Sequence, residues 1–439
     1  MRSLGPRYMA LWVGQTISQF GTYIAFITVP LLVLHIQEAA GELNTIEFAL
    51  AYAAETAPTI LIGLIGGVML DRIHLRPVMI ATDLLRACAF FYLAAGVGDY
   101  GVSTVFVMAF LVGSLTTLFD GALYAMIPAL VPKDRLSDAN SFVTASIQAN
   151  FALGPLFGGL LAAVFAGPAI GLFINGLTFV VSAWSLSYVG RVAHHVQDRV
   201  PGGPSYWSEV KEGLAHIWNE PHLRISTISA AVPNFVMGFL EATFVVMATV
   251  VLKTQSETEI GILYFFMGVG GLAGALYAPT MTRAFGLGRA MTSGLMVSGI
   301  ALLALMFTTY GFMAMGLLVV FMIGISVINI PLATIRQYFA GESMLGRVIT
   351  AARAIGWATL PIGALIGGWL GSDVDTYPWV ARMFPLILVG CALWLFTTVI
   401  WTDTYGPDFG QGKHEAHDPD TADEEPADQP PKTPQSPTQ

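Results

Sequence analysis

The sequence predicts an all-α membrane protein of twelve transmembrane helices in two six-helix bundles, and three observations carry that prediction. Of 439 residues, 55% are hydrophobic and only 11% charged, with a mean hydropathy of +0.66, too little polar surface to cover a water-soluble fold of this size. The apolar residues fall in runs long enough to cross a bilayer, which needs about 20 residues per helix. The stretch Asp120–Gly159, moved forward 209 positions without a gap, falls on Asn329–Gly368 and aligns Leu123 with Leu332, Leu136 with Leu345, Gly154 with Gly363, and Gly158-Gly159 with Gly367-Gly368. The value of these matches is architectural: they point to a chain of two similar halves.

Taken in order, the expected spans are 8–35, 46–70, 77–97, 102–130, 139–165, 169–190, 224–252, 260–281, 289–308, 312–338, 347–371 and 380–402. The first run, Tyr8 to Leu34, is longer than a signal core and has no small-x-small cleavage site after it, so it reads as an uncleaved first span. Arg2, Arg7, Arg72, Arg76, Lys133, Arg135, Arg283, Arg289 and Arg347 fall on the side that holds both termini, whereas Lys253 and Arg382 fall opposite. The positive-inside bias then puts both termini and the central loop in the cytoplasm, with the chain multi-pass in a cell's inner membrane. The formal charge of −9 says little about partners, because nine acids against Lys413 and Lys432 sit in the tail from Asp403 onward.

These runs divide the chain into an N-terminal bundle 1–190, a linker 191–223, a C-terminal bundle 224–402 and an acidic tail 403–439. Within the linker, Trp207, Val210, Leu214, Ile217 and Trp218 recur at helical spacing, as expected of a short amphipathic helix tying the halves together at the membrane surface. The tail has almost nothing to bury and reads as disordered, with His414 and His417 as solvated residues. Cys88 and Cys391 build neither a disulfide framework nor a metal site.

At the end of span 2 the sequence reads Gly66-Gly67-Val-Met-Leu-Asp71-Arg72-Ile-His-Leu-Arg76. This resembles the G-x-x-x-D-R-x-x-x-R signature that major facilitator transporters carry between their second and third spans. A glycine there lets helices approach, and an acid beside two bases on a tight turn can lock one bundle to the other and release it. The second half has no acid at its counterpart, Thr280-Met281-Thr282-Arg283, so the lock is expected to be asymmetric. In span 5, Asn150-Phe-Ala-Leu-Gly154-Pro155-Leu-Phe-Gly158-Gly159 is similar to the antiporter motif of major facilitator exporters, with Asn150 in place of its first glycine. The segments IPALVPKDRLSDANS and WSEVKEGLAHIWNEPHLR are similar to those of the third drug-antiporter branch, which includes macrolide and siderophore exporters. Span 1 departs from that branch, with Gly21-Thr22 where an acid often follows the glycine.

Ionised residues at mid-span are costly, about 2.5–3.5 kcal/mol on insertion scales, and usually face a cavity with a job to do. Asp120, Glu241 and Glu55 qualify, in that order, as proton-coupling residues, with no Lys or Arg expected at their depth. The alternative for each is a structural acid, protonated and hydrogen-bonded. Asp120 aligns with Asn329 in the repeat, an acid matched by an amide that cannot titrate. Asp83 and Arg86, one turn apart near the inner end of span 3, are assigned to the cytoplasmic charge cluster and the conformational lock with Arg72, Arg76 and Arg135.

If spans 1, 4, 7 and 10 line the cavity, as the resemblance implies, then Gln15, Gln19, Tyr23, Phe119, Asn234, Phe235, Phe239 and Asn329 are available to substrate. Aromatic walls with a few amides suit a small amphipathic compound, neutral or cationic. Gly268-Val-Gly270-Gly271-Leu-Ala273 matches a dinucleotide pattern, but no strand precedes it and helix packing explains it better. The chain has no Gly-Lys-Ser or Gly-Lys-Thr phosphate loop. The expected protein is a monomer that is not an enzyme, holds no cofactor or metal, binds no nucleic acid, and uses the proton gradient to drive alternating-access export; a lipid flippase of the same fold is the second reading, a non-transporting receptor or scaffold the third.

Overall fold

In hydrocarbon a backbone must satisfy its own hydrogen bonds, and each apolar run does so by closing into a helix. The computed structural model describes residues 4–41, 44–70, 74–97, 99–132, 135–190, 206–340, 344–373 and 375–402, without the side chains of 61–70, 137, 140, 141, 206, 207, 209, 210, 346 and 402. The first six spans are α1 (Pro6–Ala40), α2 (Thr45–Leu70), α3 (Leu75–Ala95), α4 (Val102–Leu130), α5 (Leu136–Val164) and α6 (Ala169–Val189). A short α7 (Tyr206–Asn219) precedes α8 (Pro221–Val246), which continues through a π-turn at Met247–Val251. Then follow α9 (Glu257–Phe285), α10 (Leu287–Leu305), α11 (Gly311–Ala340), α12 (Leu345–Leu370), α13 (Tyr377–Leu395) and the terminal turn α14 (Val399–Thr402). Among the described residues, eleven helices are long and apolar enough to cross a membrane, and α2 is the twelfth long helix.

Local chemistry sets the helix ends. Ser256 caps α9 by accepting from the Glu259 amide at 3.3 Å, while the Glu259 side chain accepts from the Gln255 amide at 2.8 Å. Pro221 starts α8, where a missing N–H costs nothing, and Glu220 caps it. Between α9 and α10 the chain reverses through the single residue Gly286, at φ +81 and ψ 166, a region that a Cβ disfavours. Hydroxyls inside the spans return to their own helix, as Thr82 does to the Val78 carbonyl and Thr243 to the Phe239 carbonyl.

Because the spans alternate in direction, α1 begins and α13 ends at one end of the molecule, here the terminal end; the opposite end is the far end. In the first half α1 packs on α5 and α6, α2 on α4, and α3 on α4 and α6. In the second half α8 packs on α12 and α13, α9 on α11, and α10 on α11 and α13. The halves are joined mainly by α5 on α9 and α2 on α12, two contacts that the duplication exchanges, and α2 and α1 also touch α8. Individual glycines confirm the duplication. Gly154 meets Tyr23 and Gly158 meets Ile27, as Gly363 meets Phe235 and Gly367 meets Phe239. Gly159 meets Glu257 and Gly261, as Gly368 meets Thr45 and Ala49, and each of these partner pairs is 212 positions apart. Outward-facing Phe110, Leu160, Trp184, Leu276 and Leu393 remain exposed, as a lipid-facing surface requires.

Helix α7 docks mainly on α12 and α8 of the second half, and does not bridge the halves evenly. Ile217 is buried with Leu223, Val348 and Ala351, Gly213 lies against the Arg347 backbone, and Arg347 pairs with Glu212 at 2.6 Å. Trp218 stays exposed.

A Cβ on Gly363 would stand 1.9 Å from the Phe235 carbonyl oxygen, whereas one on Gly390 would meet nothing within 4 Å. Gly363→Val is therefore expected to destabilise the protein by about 1–3 kcal/mol or more through overpacking. Gly390→Val should melt like wild type, as thermal unfolding in detergent will show.

Candidate functional site

The two halves meet through small residues. The contacts that can be traced to particular residues, Thr45 to Gly371, Ala49 to Gly368, Tyr52 to Glu241, Ala152 to Gly268 and Gly159 to Gly261, all lie in the middle and far half of the molecule. At Gly159 a Cβ would stand 2.4 Å from the Glu257 carbonyl oxygen, and at Gly268 it would stand 2.3 Å from Ala152 Cα. Backbones this close exist only where side chains are absent. The glycines of span 8 thus serve packing: Gly270 lies against Val319, and Gly274 against Ile323 and Ser326.

Beside this seam lies a cleft of about 400 Å³, counting its open mouth, lined in part by Phe26, Val29, Phe48, Tyr52, Glu55 and Glu241. It joins α1 and α2 of the first half to α8 of the second. The Tyr52 hydroxyl donates to Glu241 Oε2 across the halves. Glu55 faces the same cleft and acts electrostatically on Glu241. Helix α4 closes on the Glu55 backbone through Gly113, where a Cβ would stand 2.0 Å from the Glu55 carbonyl oxygen. Tyr264 completes the surroundings: it packs at 4.0 Å on Phe244 and 5.4 Å on Phe26, lies close enough to feel the charge of Glu241, and its buried hydroxyl has no partner. Two carboxyls and two phenols thus gather where the halves touch. Sequence reading placed Glu55 and Glu241 in the membrane but missed Tyr52 and Tyr264; the three-residue spacing from Tyr52 to Glu55, one helix face, was the available signal.

Asp120 sits elsewhere, in the terminal half of α4, and it has a cation. Arg86 lies within electrostatic reach of it, which corrects the expectation that no base shares its depth. Nor do Asp83 and Arg86 belong to a surface charge cluster. They form an ion pair inside the first bundle, with side chains 0% and 4% exposed. The Arg86 guanidinium stands 4.5 Å from the Phe119 ring centre and 4.2 Å from that of Phe179, and donates to Thr116 at 3.3 Å. The apolar residues around span 3 hold this pair because the aromatic faces supply part of the solvation that lipid cannot.

Arg76 donates to the Leu186 and Ser187 carbonyls at 2.9 Å, closing the end of α6. Asp71 and Arg72 lie outside the described residues, as do Lys133, Asp134, segment 191–205 and the tail with His414 and His417; the surroundings of Gly67 are not described. In span 5, Asn150 donates to the Thr16 carbonyl at 2.9 Å, so the residue standing for a glycine ties α5 to α1 by a hydrogen bond. Pro155 lies within α5 one residue after Gly154.

The expected cavity residues divide. Phe119 and Phe239 are buried core, the first under Arg86 and the second stacked on Phe384 at 3.9 Å, so they line no cavity. Phe235 is half-buried against Phe384, and Asn234 donates to the Gly356 carbonyl at 3.0 Å. Tyr23 packs on Phe151 at 5.6 Å, Gln15 and Gln19 each hold a buried side-chain oxygen without a partner, and Asn329 is exposed.

Two helical bundles with matching internal contacts and ionisable groups at the seam between them have the architecture of a membrane transporter. The chain belongs to the Major Facilitator Superfamily, whose family model matches residues 11–358. It is 25% identical over 399 residues to the multidrug efflux pump Tap of Mycolicibacterium fortuitum, covering 88% of this chain and 94% of that protein. It is 23% identical over 396 residues to macrolide efflux protein A of Streptococcus pyogenes, covering 87% and 93%. Among solved structures it resembles a bacterial homologue of the human lysosomal transporter Spinster in an inward-facing, unoccupied conformation, with TM-score 0.69, 13% identity, and 89% and 95% of the two chains covered. A bacterial homologue of the iron transporter ferroportin, inward-facing, gives TM-score 0.68 at 17% identity over 89% and 98%.

Two outcomes follow from this geometry. Asp83→Leu strands Arg86 in an apolar bundle and should cost about 3–5 kcal/mol of stability, most of which adding Arg86→Met in the double variant should restore, read as a thermal double-mutant cycle with both single variants. Leu at Gly159 or Gly368 should hold the far end apart. In a Cys88→Ala, Cys391→Ala background, Thr45→Cys should then react with a membrane-impermeant maleimide several-fold faster than with both glycines intact.

Proposed function

We propose that this transporter is a proton-coupled exporter of amphipathic drugs or natural products, working by alternating access between two halves, 1–190 and 224–402, joined by segment 191–223. The observation that carries the reading is the bond from Tyr52 to Glu241, because it puts a titratable carboxyl on the surface that must separate when the far end opens. An ionised Glu241 accepts a charge-assisted hydrogen bond and holds the halves together; a protonated one holds them less firmly. Proton uptake at that cleft would therefore favour the far-open state, and proton loss would favour the state seen here. Glu55, beside it, tunes the same equilibrium by like-charge repulsion. Asp120 is the second coupling residue, its charge balanced by Arg86 within the first half.

The basic residues at the terminal end, among them Arg7, Arg76, Arg135, Arg283, Arg289 and Arg347, favour a cytoplasmic location for that end. In this orientation the sealed far end faces outward, and the chain sits in the inner membrane ready to load from the cytoplasm. Gly67, Asp71, Arg72 and Arg76 would form the lock at the terminal end, with Asp83 and Arg86 as a brace beneath it. The efflux activities printed in the relatives' names support drug-like cargo. Two acids and several aromatic rings at the cleft suit a neutral or cationic compound. The transporter acts as a monomer and takes its energy from the proton gradient, without a cofactor.

Proteoliposomes with an imposed pH gradient and a fluorescent cationic dye test this. Glu241→Gln should lose gradient-driven accumulation by about tenfold or more while dye counterflow, which needs no net proton movement, persists. Full gradient-driven transport by Glu241→Gln would remove Glu241 from the coupling role, and the same assay on Asp120→Asn decides the second site.

A further inference from the structure

Two arginines of the second half have no part in this scheme. Arg336 lies one turn before the terminal end of α11, and Arg353 lies two turns into α12 from the same end. Their guanidiniums act on each other as like charges. Among the described residues neither has a carboxylate or a carbonyl as partner, and Nε of Arg336 is buried and unsatisfied. Six other bases lie on acceptors, Arg86, Arg135 and Arg347 on carboxylates and Arg76, Arg224 and Arg283 on backbone carbonyls, while Arg289 and Arg382 lie over aromatic rings, Arg382 with its own Nε unsatisfied.

Position adds a second argument. Arg353 is exposed, stands 5.6 Å from the Trp357 ring centre, and acts electrostatically on Tyr124 of α4 in the first half. It therefore faces the space between the halves at the terminal end. Asp120, one turn from Tyr124, lies within electrostatic reach of Arg86. Exposed Trp357 and Tyr124 offer apolar walls beside the charges. Paired guanidiniums present rigid forks of N–H donors matched to the oxygens of phosphate or carboxylate, and like charges held together in a membrane domain mark a ligand's path.

We propose that Arg336 and Arg353 form an anion-binding site that takes the oxyanion headgroup of an amphiphile entering between the two halves from the terminal end. This extends the cargo or lipid contacts beyond the neutral and cationic compounds suited to the Glu55 and Glu241 cleft, and it does not depend on proton coupling.

Binding to the purified full chain in maltoside micelles, with no gradient, tests it. Dodecyl phosphate should raise the melting temperature, dodecyltrimethylammonium should not, and R336Q/R353Q should weaken apparent dodecyl phosphate affinity by about tenfold or more. R336K/R353K keeps the charge but not the fork and should fall between. If the double glutamine variant fails to fold, R353Q alone, at an exposed position, gives the same test. Competition distinguishes the source of the headgroup: displacement of dodecyl phosphate by phosphatidylglycerol, in mixed micelles and not by phosphatidylcholine, identifies a bilayer lipid, and its absence identifies a soluble amphiphile. Equal affinity in wild type and R336Q/R353Q, or equal stabilisation by the cation, overturns the proposal.

Discussion

The close approach of backbone to backbone along α5–α9 and α2–α12 is the constraint on which the rest of this structure depends. In lipid there is no hydrophobic driving force to press helices together, so association rests on van der Waals contact, and contact rests on small residues. Gly159, Gly261, Gly268, Gly368 and Ala49 supply it between the halves, as Gly154, Gly158, Gly363 and Gly367 supply it within them. Two neighbouring faces of α5 thereby do two things, Gly154 and Gly158 on one and Ala152 and Gly159 on the other. The first fixes α5 to α1 inside its own bundle and the second sets α5 against the partner bundle. A movement of one half on the other has to break the second set while keeping the first, and the difference lies in what accompanies the glycines. Within a half, Asn150 to Thr16 and Thr359 to Ala231 add hydrogen bonds to the packing. Between halves the polar links are few, from Thr45 to the end of α12 and from Tyr52 to Glu241.

Charge follows the same division between what is fixed and what can change. The Asp83–Arg86 pair is enclosed by Phe119 and Phe179 and touches only its own bundle, so it braces the first half without sensing the second. Glu241 belongs to one half and takes its hydrogen bond from the other, so its state of ionisation is felt at the seam. Location relative to the surface between the halves, more than depth in the membrane, distinguishes Glu241 from Asp83.

Much of the fold was legible because it rests on composition and period. Apolar runs located the helices to within a few residues, and α4 and α6 begin and end almost where hydropathy puts them. The Asp120–Gly159 repeat identified the glycines that pack, because glycine at regular helical spacing in lipid has few other uses. Pairings across the bundle were illegible: Arg86 reads as an inner-end charge until α4 and α6 bring Phe119 and Phe179 over it. Phe119 and Phe239 read as cavity walls because position along a helix says how deep a residue lies and not which way it turns. Tyr52 gave only the faint signal of sharing a helix face with Glu55; its partner comes from a helix nearly two hundred residues away.

Symmetry then sharpens what is special about the cleft. The offset of 212 that relates α1 to α8 and α2 to α9 makes Tyr52 and Tyr264 twins, and both lie beside Glu241. The twin of Glu241 is Val29, which lines the same cleft, and the twin of Glu55 is Met267. With the shorter offset of 209, Asp120 is matched by Asn329. Both halves keep the glycines and the tyrosines, while each acid stands in one half against a residue that cannot titrate. Packing has to be matched on both sides of the pseudo-twofold axis because the two seams close together. A carboxyl has no such requirement: one more at the mirrored position, beside Glu241 and Glu55, would add a further like charge at the cleft and oppose the close approach of the halves. Duplicated packing with single-copy acids is therefore how the two halves of this chain differ.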